Sequence, residues 1–295
     1  MKKILVLLTA FLVIVPSMAE ARKKKVTKKS PKYELVWSEE FDTPGAVDAD
    51  DWNFEHGFVR NHEHQWYQED NAFICDGRLI IEGRHEQVPN PRYRKPGDTD
   101  TRRRSDWRTE RAYAEYTSAS INTRGKHEWL YGRFEVRAKI PTAHGAWPAI
   151  WTLGVDRPWP VNGEIDIMEF YRIQEVPHIL ANAAWAREPN HAIWNTGAIP
   201  YSHFTENDPQ WAEKFHVWRM DWDADSLRLY LDDELLNTQS CDVNADGFYP
   251  FRQPHYLLLN LALGGDNGGV LVPEEYPIRY EIDYVRIYQV KNVTR

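Results

Sequence analysis

Gly163-Glu164-Ile165-Asp166-Ile167-Met168-Glu169-Phe170 reads as a β-strand that carries three carboxylates. Its Ile, Met and Phe content suits a half-buried pleated surface, where unpaired acids are uncommon. In a regular strand Glu164 and Asp166 point to one face and Glu169 to the other. A β-bulge near 167–168 adds one residue and returns Glu169 to the face of Glu164. The acids then crowd together and disfavour one another's ionisation, so at least one stays protonated near neutral pH. A retaining glycosidase uses such an arrangement, with a carboxylate nucleophile and a protonated acid about 5–5.5 Å apart. Two other readings stand beside it. The acids could face water on an exposed strand, or face a Ca²⁺ ion, although the interleaved carbonyls and loop glycines of a calcium loop are missing.

Outward from this strand, the periodicity stays at two. Arg78–Glu82, Tyr131–Ala138, Ser226–Leu231 and Ile282–Tyr288 alternate apolar with polar side chains. Turn signals lie between them at Asp76-Gly77, Asn162-Gly163, Asp232-Asp233 and Gly264-Gly265. Many short strands with polar turns predict an all-β sandwich in one domain, 33–295. Asp208–Phe215 is expected to form a short helix, with Pro209 in its first turn after an Asp cap. Val88–Glu115 breaks the strand pattern and is expected to be a long loop, a functional flap or an insertion, carrying Arg92, Arg94, Lys95, Arg102, Arg103, Arg104, Arg108 and Arg111.

Charge and compartment narrow the chemistry. Lys2 and Lys3, an apolar run from Ile4 to Val15, and small residues at Ser17, Ala19 and Ala21 form the pattern of a secretory signal over 1–21. The run is too short to span a bilayer. A basic linker follows over 22–32. Export to the periplasm or the medium is expected, with no membrane association after cleavage. Residues 33–295 hold 27 Lys/Arg and 43 Asp/Glu, a net charge of −16. So acidic a domain repels nucleic acid and anionic polysaccharides and favours a neutral polymer. Cys75 and Cys241 lie far apart, and two separate thiols are the default expectation although export permits a bridge. Thirteen Trp and fifteen Tyr, several in polar contexts such as His64-Gln65-Trp66-Tyr67, suit the flat apolar faces of sugars.

The chain resembles glycoside hydrolase family 16 across almost all of 33–295. Glu164-Ile165-Asp166-Ile167-Met168-Glu169 is similar to that family's active-site strand in its bulged form. Glu40-Phe41-Asp42 and Asp51-Trp52 resemble its opening strand, and Glu63-His64-Gln65-Trp66-Tyr67 its E-L-Q-Y-Y segment. Ser118–Thr123 and Gly145–Trp151 resemble the S-A-R-I-N-T and G-x-W-P-A-x-W runs. Gln253-Pro254, Leu259–Gly265 and Asp283–Tyr288 resemble the closing strands, all in the expected order.

The resemblance implies a β-jelly roll with a concave cleft, closest in look to laminarinase-like endo-β-1,3-glucanases and mixed-linkage β-1,3-1,4-glucanases. By position, Glu164 would be the nucleophile, Glu169 the acid and base, and Asp166 the residue that tunes the nucleophile. Trp147 and Trp151 would form a sugar platform, and Trp185 would stack on the other side of the cut. Asn61, Glu63, Gln253 and Asn260 are candidate hydroxyl partners. No cofactor is expected for catalysis. The family often carries a structural Ca²⁺, and Glu40, the Gly77 carbonyl and Asp283 match that site. Departures lie at Ala184, where many laminarinase-like members have His, at His64, and in the long Arg-rich segment. They leave linkage open. The expected partner is a neutral β-glucan acted on by a monomer. A galactanase or transglycosylase of the same fold, or a carbohydrate-binding protein without turnover, are the alternatives.

Overall fold

The computed structural model describes residues 32–95, 97, 106–188 and 190–291. The signal-like segment, the basic linker as far as Pro31, and Arg102, Arg103 and Arg104 lie outside the described residues.

Seven strands form the sheet that carries the acids. They are β1 (Asn53–Phe54), β2 (Ser120–Asn122), β3 (Ala146–Gly154), β4 (Glu164–Ile173), β5 (Val176–Ala186), β6 (Ala192–Pro200) and β7 (His255–Leu263). Their order across the sheet is β6-β5-β4-β3-β7-β2-β1, and every pairing is antiparallel. A second, eight-stranded sheet has Gly132–Lys139 and Ile278–Val290 at its centre. Gly132–Lys139 alternates buried and half-buried residues without a break, as a strand with one face on the core should. Between the sheets lies a core of Trp52, Trp218, Trp222, Phe134, Phe170, Leu79, Ile81, Ile121 and their neighbours. The expected jelly-roll sandwich is the fold observed.

The decisive local feature is a bulge in β4. Against β3, Trp151 pairs with Asp166 and Ile150 with Met168, so Ile167 is the extra residue. Against β5, the ladder skips from Asp166 opposite Asn182 to Glu169 opposite Leu180. Ile167 and Met168 both point into the core and are fully buried. Their burial fixes the register, because a slip by one residue would place a carboxylate in the core.

Two sequence expectations change on folding. Asp208–Phe215 forms only a 3-10 turn at Trp211–Glu213, since the Asp208 carboxylate accepts from Lys214 at 2.6 Å and caps no helix. A short α-helix appears instead at Ser202–Thr205. The segment Val88–Glu115 is not wholly a loop. Val88–Pro89 pairs with Tyr113–Ala114 at its base, and Trp107–Thr109 forms a 3-10 turn capped by Asp106. Cys75 is exposed and Cys241 buried, and both are free thiols. Among the described residues no helix is long and apolar enough to cross a membrane.

Since Met168 is part of the bulge that sets the register, Met168→Ala should cost about 2–5 kcal/mol of stability. Denaturant unfolding checks this, and a loss below about 1 kcal/mol would show that the bulge is held by other contacts.

Candidate active site

The outer face of the seven-stranded sheet is a cleft of about 650 Å³. Glu164, Asp166 and Glu169 lie in its floor, together with Trp147, Ala149 and Trp151 from β3 and Asn260 and Ala262 from β7. The ladder explains this grouping. Glu164, Asp166 and Glu169 stand opposite Leu153, Trp151 and Ala149, three residues of β3 that share one face.

Each carboxylate has its own environment. Glu169 accepts from the Trp147 indole N–H at 2.8 Å through Oε1 and from Asn182 Nδ2 at 2.8 Å through Oε2. Burial and, to a lesser degree, the neighbouring Glu164 charge push its pKa up to about 7, against the pull of those two donors. Asp166 is 2 % exposed, and its Oδ2 has no protein partner. Burial first, then the charges of Glu164 and Glu169, drive its pKa far above the ordinary range. These causes favour the protonated form of Asp166, the form that can donate to Glu164. Glu164 is also raised by burial, but the Trp159 indole N–H at 2.5 Å, the Asp166 bond and the Arg60 charge all hold it down. All three acids are thus raised by burial but by different neighbours, with three groups opposing the rise at Glu164, two like charges adding to it at Asp166, and Glu169 raised to about 7.

One wall is the loop between Gly57 and Glu63. It is anchored where Gly265 follows β7 with φ +71°. A Cβ there would meet the Asn61 carbonyl oxygen at 2.5 Å, so only glycine permits the approach. His64 N donates to Leu263 O at 2.9 Å and Asp266 N to Asn61 O at 2.9 Å. Glu63 is buried and accepts from Gln65 at 2.7 Å and Asn61 at 3.3 Å; burial pushes its pKa up to about 7. Arg60 pairs with Glu55 and lies over the Trp151 ring at 5.1 Å. The Arg-rich segment braces this wall from behind. Arg108 donates to Val59 O, Arg111 donates to Glu63 O at 2.6 Å, and the Arg111 guanidinium lies 4.0 Å from the Phe58 ring. These arginines hold a loop in place and do not form a free cationic surface.

The structure brings together most of the expected site residues. Asn61, Glu63, Trp147, Trp151 and Asn260 all line the cleft. Asn260 is largely committed to the protein, accepting from Trp151 Nε1 at 2.7 Å and donating to the Tyr67 hydroxyl at 3.1 Å. Two expectations are corrected. Trp185 is core-facing, packing edge-on against Phe251 at 6.1 Å, because β5 turns Asn182 and Ala184 to the acids' face and 185 away from it. Gln253 sits on the connection after the Pro250–Arg252 turn, outside the cleft lining. Sequence reasoning missed Trp159, Tyr171, Asn182, Trp194 and Thr196, all of which line the cleft. Trp194 stands opposite Ala184 on β6, and alternation along Ala192–Pro200 was the signal that could have found it.

The trio expected to hold Ca²⁺ does not fit a cation. Glu40 spends both oxygens on Arg286, at 2.9 and 2.8 Å, and Asp283 accepts from Arg137 at 2.6 Å. A Ca²⁺ ion beside Gly77 would sit among guanidinium groups that already neutralise its carboxylate ligands. Among the described residues, no three His, Cys, Asp or Glu side chains converge in a way that could hold a metal.

A strand of three acids in unequal environments, flanked by indoles and amides in an open cleft, defines a glycoside-cleaving site on a β-sandwich. Comparison with known proteins agrees. The pattern of glycosyl hydrolases family 16 matches residues 97–286, and the chain belongs to that family. It is 36% identical to a β-glucanase of Rhodothermus marinus over 95% of this chain and 94% of that protein. A laminarinase catalytic domain from Thermotoga maritima superposes with TM-score 0.70 at 34% identity, covering 88% of this chain and 99% of the other. A structure from work on endo-acting O-glycanases, by which members of the human gut microbiota initiate mucin breakdown, superposes with TM-score 0.76 at 34% identity, covering 88% and 91%.

Since arginines already satisfy Glu40 and Asp283, adding EDTA should leave the thermal midpoint unchanged, and added Ca²⁺ should not raise it. A rise of several degrees with millimolar Ca²⁺ would show that the ion displaces Arg286 or Arg137.

Proposed function

We propose that the chain is an exported, endo-acting, retaining glycoside hydrolase that cuts β-1,3-glucan or mixed-linkage β-1,3-1,4-glucan. The observation that carries this reading is the bulged strand β4, which sets Glu164, Asp166 and Glu169 on one face of an aromatic cleft with Glu169 poised near pH 7. The R. marinus β-glucanase and the T. maritima laminarinase support the substrate class, and the signal-like segment over 1–21 supports export.

The chemistry follows from the three environments. The Glu164 carboxylate attacks the anomeric carbon, forming a C–O bond as the bond to the leaving sugar breaks. The Glu169 proton passes to the leaving oxygen, so the departing sugar leaves as a neutral alcohol. Glu169, now ionised, takes a proton from water, and the resulting oxygen attacks the same carbon and releases Glu164 as a carboxylate. Asp166 keeps its proton throughout. Its hydrogen bond supports negative charge on Glu164 before attack and after release, and a second ionised acid beside Glu164 would oppose that charge. Trp147 and Asn182 hold Glu169 in reach of the leaving oxygen.

A second reading, an O-glycan chain of the mucin type as the polymer, is favoured by the similarity to the gut O-glycanase structure. It uses the same catalytic residues. Product analysis on laminarin, barley mixed-linkage glucan and mucin O-glycans separates the two. Oligosaccharides from either glucan are expected, and release from mucin glycans alone would move the assignment to the second reading.

Glu164→Gln and Glu169→Gln should each lower hydrolysis by a factor of about 10³ or more with the fold retained. Near wild-type turnover in either variant, with circular dichroism unchanged, would refute the roles assigned. The first step needs protonated Glu169, whose pKa is raised to about 7. Activity is therefore present below that value and falls as pH rises through about 7, and a kcat/KM profile that stays flat to pH 9 would contradict the acid role.

A further inference from the structure

The carboxylates of β4 are not held by the strand alone. Glu164 is its first residue, and the connection leading into it, between Gly154 and Gly163, rises beside the cleft. That connection is built to one shape. Gly154 N donates to Gly163 O at 3.1 Å and Asn162 Nδ2 to Gly154 O at 2.9 Å. A Cβ on Gly154 would meet Asn162 O at 2.1 Å, so no other residue allows the closure. Val161 packs with Ala186, Ala245 and Phe248, and the Arg157 guanidinium lies 4.1 Å from the Phe248 ring. The loop so anchored presents Trp159, a residue 49 % exposed, to the cleft, and its indole N–H meets Glu164 Oε2 at 2.5 Å. A large aromatic side chain is left half in water at the one place where its N–H reaches the nucleophile.

We propose that Trp159 is a positioning residue for Glu164: its indole N–H fixes one carboxylate oxygen so that the group is held for attack, while its exposed ring forms part of the sugar-facing wall. The role rests on the glycosidase reading and deepens it. It parallels the Trp147 N–H on Glu169, so each of the two reacting carboxylates has an indole donor of its own. A donor to the charged form of a carboxylate favours ionisation and restricts rotation, and both effects act on a nucleophile more than on substrate binding. The other groups that face Glu164 are Asp166 and Glu169 on its own strand, Arg60 from the opposite wall and Tyr256 on β7. None of them changes when Trp159 is replaced, so a shift in the behaviour of Glu164 reports the indole.

The test is Trp159→Phe, which keeps a ring and removes the N–H. With a glucan that the wild-type protein hydrolyses, kcat should fall about 10–100-fold, the cost of one hydrogen bond to a charged group. KM should change much less, and the acid limb of the kcat/KM profile should move to higher pH as Glu164 becomes harder to ionise. Trp159→His, which retains a ring N–H, should recover part of kcat. Unchanged kcat and acid limb with a raised KM would overturn the proposal and leave Trp159 a sugar contact only. Should Trp159→Phe not fold, the wild-type protein with ¹⁵N-labelled tryptophan decides. One indole N–H resonance should lie downfield, titrate with Glu164 and move upfield in Glu164→Gln; absence of such a resonance overturns the hydrogen bond. That measurement needs no turnover, so an inactive wild-type protein would refute the glycosidase reading without deciding the role of Trp159.

Discussion

The structure depends on the crowding of three carboxylates on one face of β4. Three adjacent acids in a desolvated cleft cannot all ionise, since each added charge raises the cost of the next. The protein resolves the conflict by giving them different partners. Glu164 receives an indole N–H and a proton-bearing neighbour, Asp166 is buried with one oxygen unmet, and Glu169 is held by an indole and an amide. The result is three unequal acids, with opposing donors at Glu164, the strongest push toward the protonated form at Asp166, and a pKa of about 7 at Glu169. The proposed catalytic roles rest on these environments more than on residue type, because two of the three acids are glutamates.

Almost everything around the strand serves that arrangement. The second sheet supplies the core against which Ile167, Met168 and Phe170 pack, and that packing holds the bulge in register. β3 and β5 supply the donors to Glu169 from either side, Trp147 and Asn182. The loop after Gly57 forms a wall whose Arg60 lies between the half-buried Glu55 before the loop and the buried Glu63, and the three groups keep the cleft polar at that end. The basic segment, expected as a functional flap or an insertion, has two of its arginines turned inward onto backbone carbonyls and the Phe58 ring. Local charge was thus diverted to bracing, in keeping with an acidic domain suited to a neutral polymer.

The strands and the acids were legible in the sequence because they follow local rules. Period-two alternation over Tyr131–Ala138 and Ile282–Tyr288 anticipated the strands Gly132–Lys139 and Ile278–Val290, and the order of Glu164, Asp166 and Glu169 on an apolar strand required a bulge to make chemical sense. The same local reasoning failed for Trp185. A tryptophan beside the catalytic strand looked like a sugar platform, but its parity on β5 relative to Asn182 turns it to the core. The Ca²⁺ site that the resemblance implied at Glu40, Gly77 and Asp283 meets a different arrangement, since those two carboxylates bond Arg286 and Arg137 across strands far apart in sequence. Asp208 was read as a helix cap and bonds Lys214 instead.

By itself, then, the sequence determined the all-β class, the acidic charge balance, and which three carboxylates share the strand at the centre of the proposed site. Those properties live in composition and in spacings of a few residues along one strand. Tertiary structure alone decided which aromatic and polar groups reach those carboxylates. Trp147 lies 22 residues from Glu169, and Asn260 lies 109 from Trp151, so their meeting depends on strand order and register across the sheet. It also decided the protonation of each acid, because burial is set by the whole cleft and a pKa near 7 for Glu169 cannot be read from its neighbours in the chain.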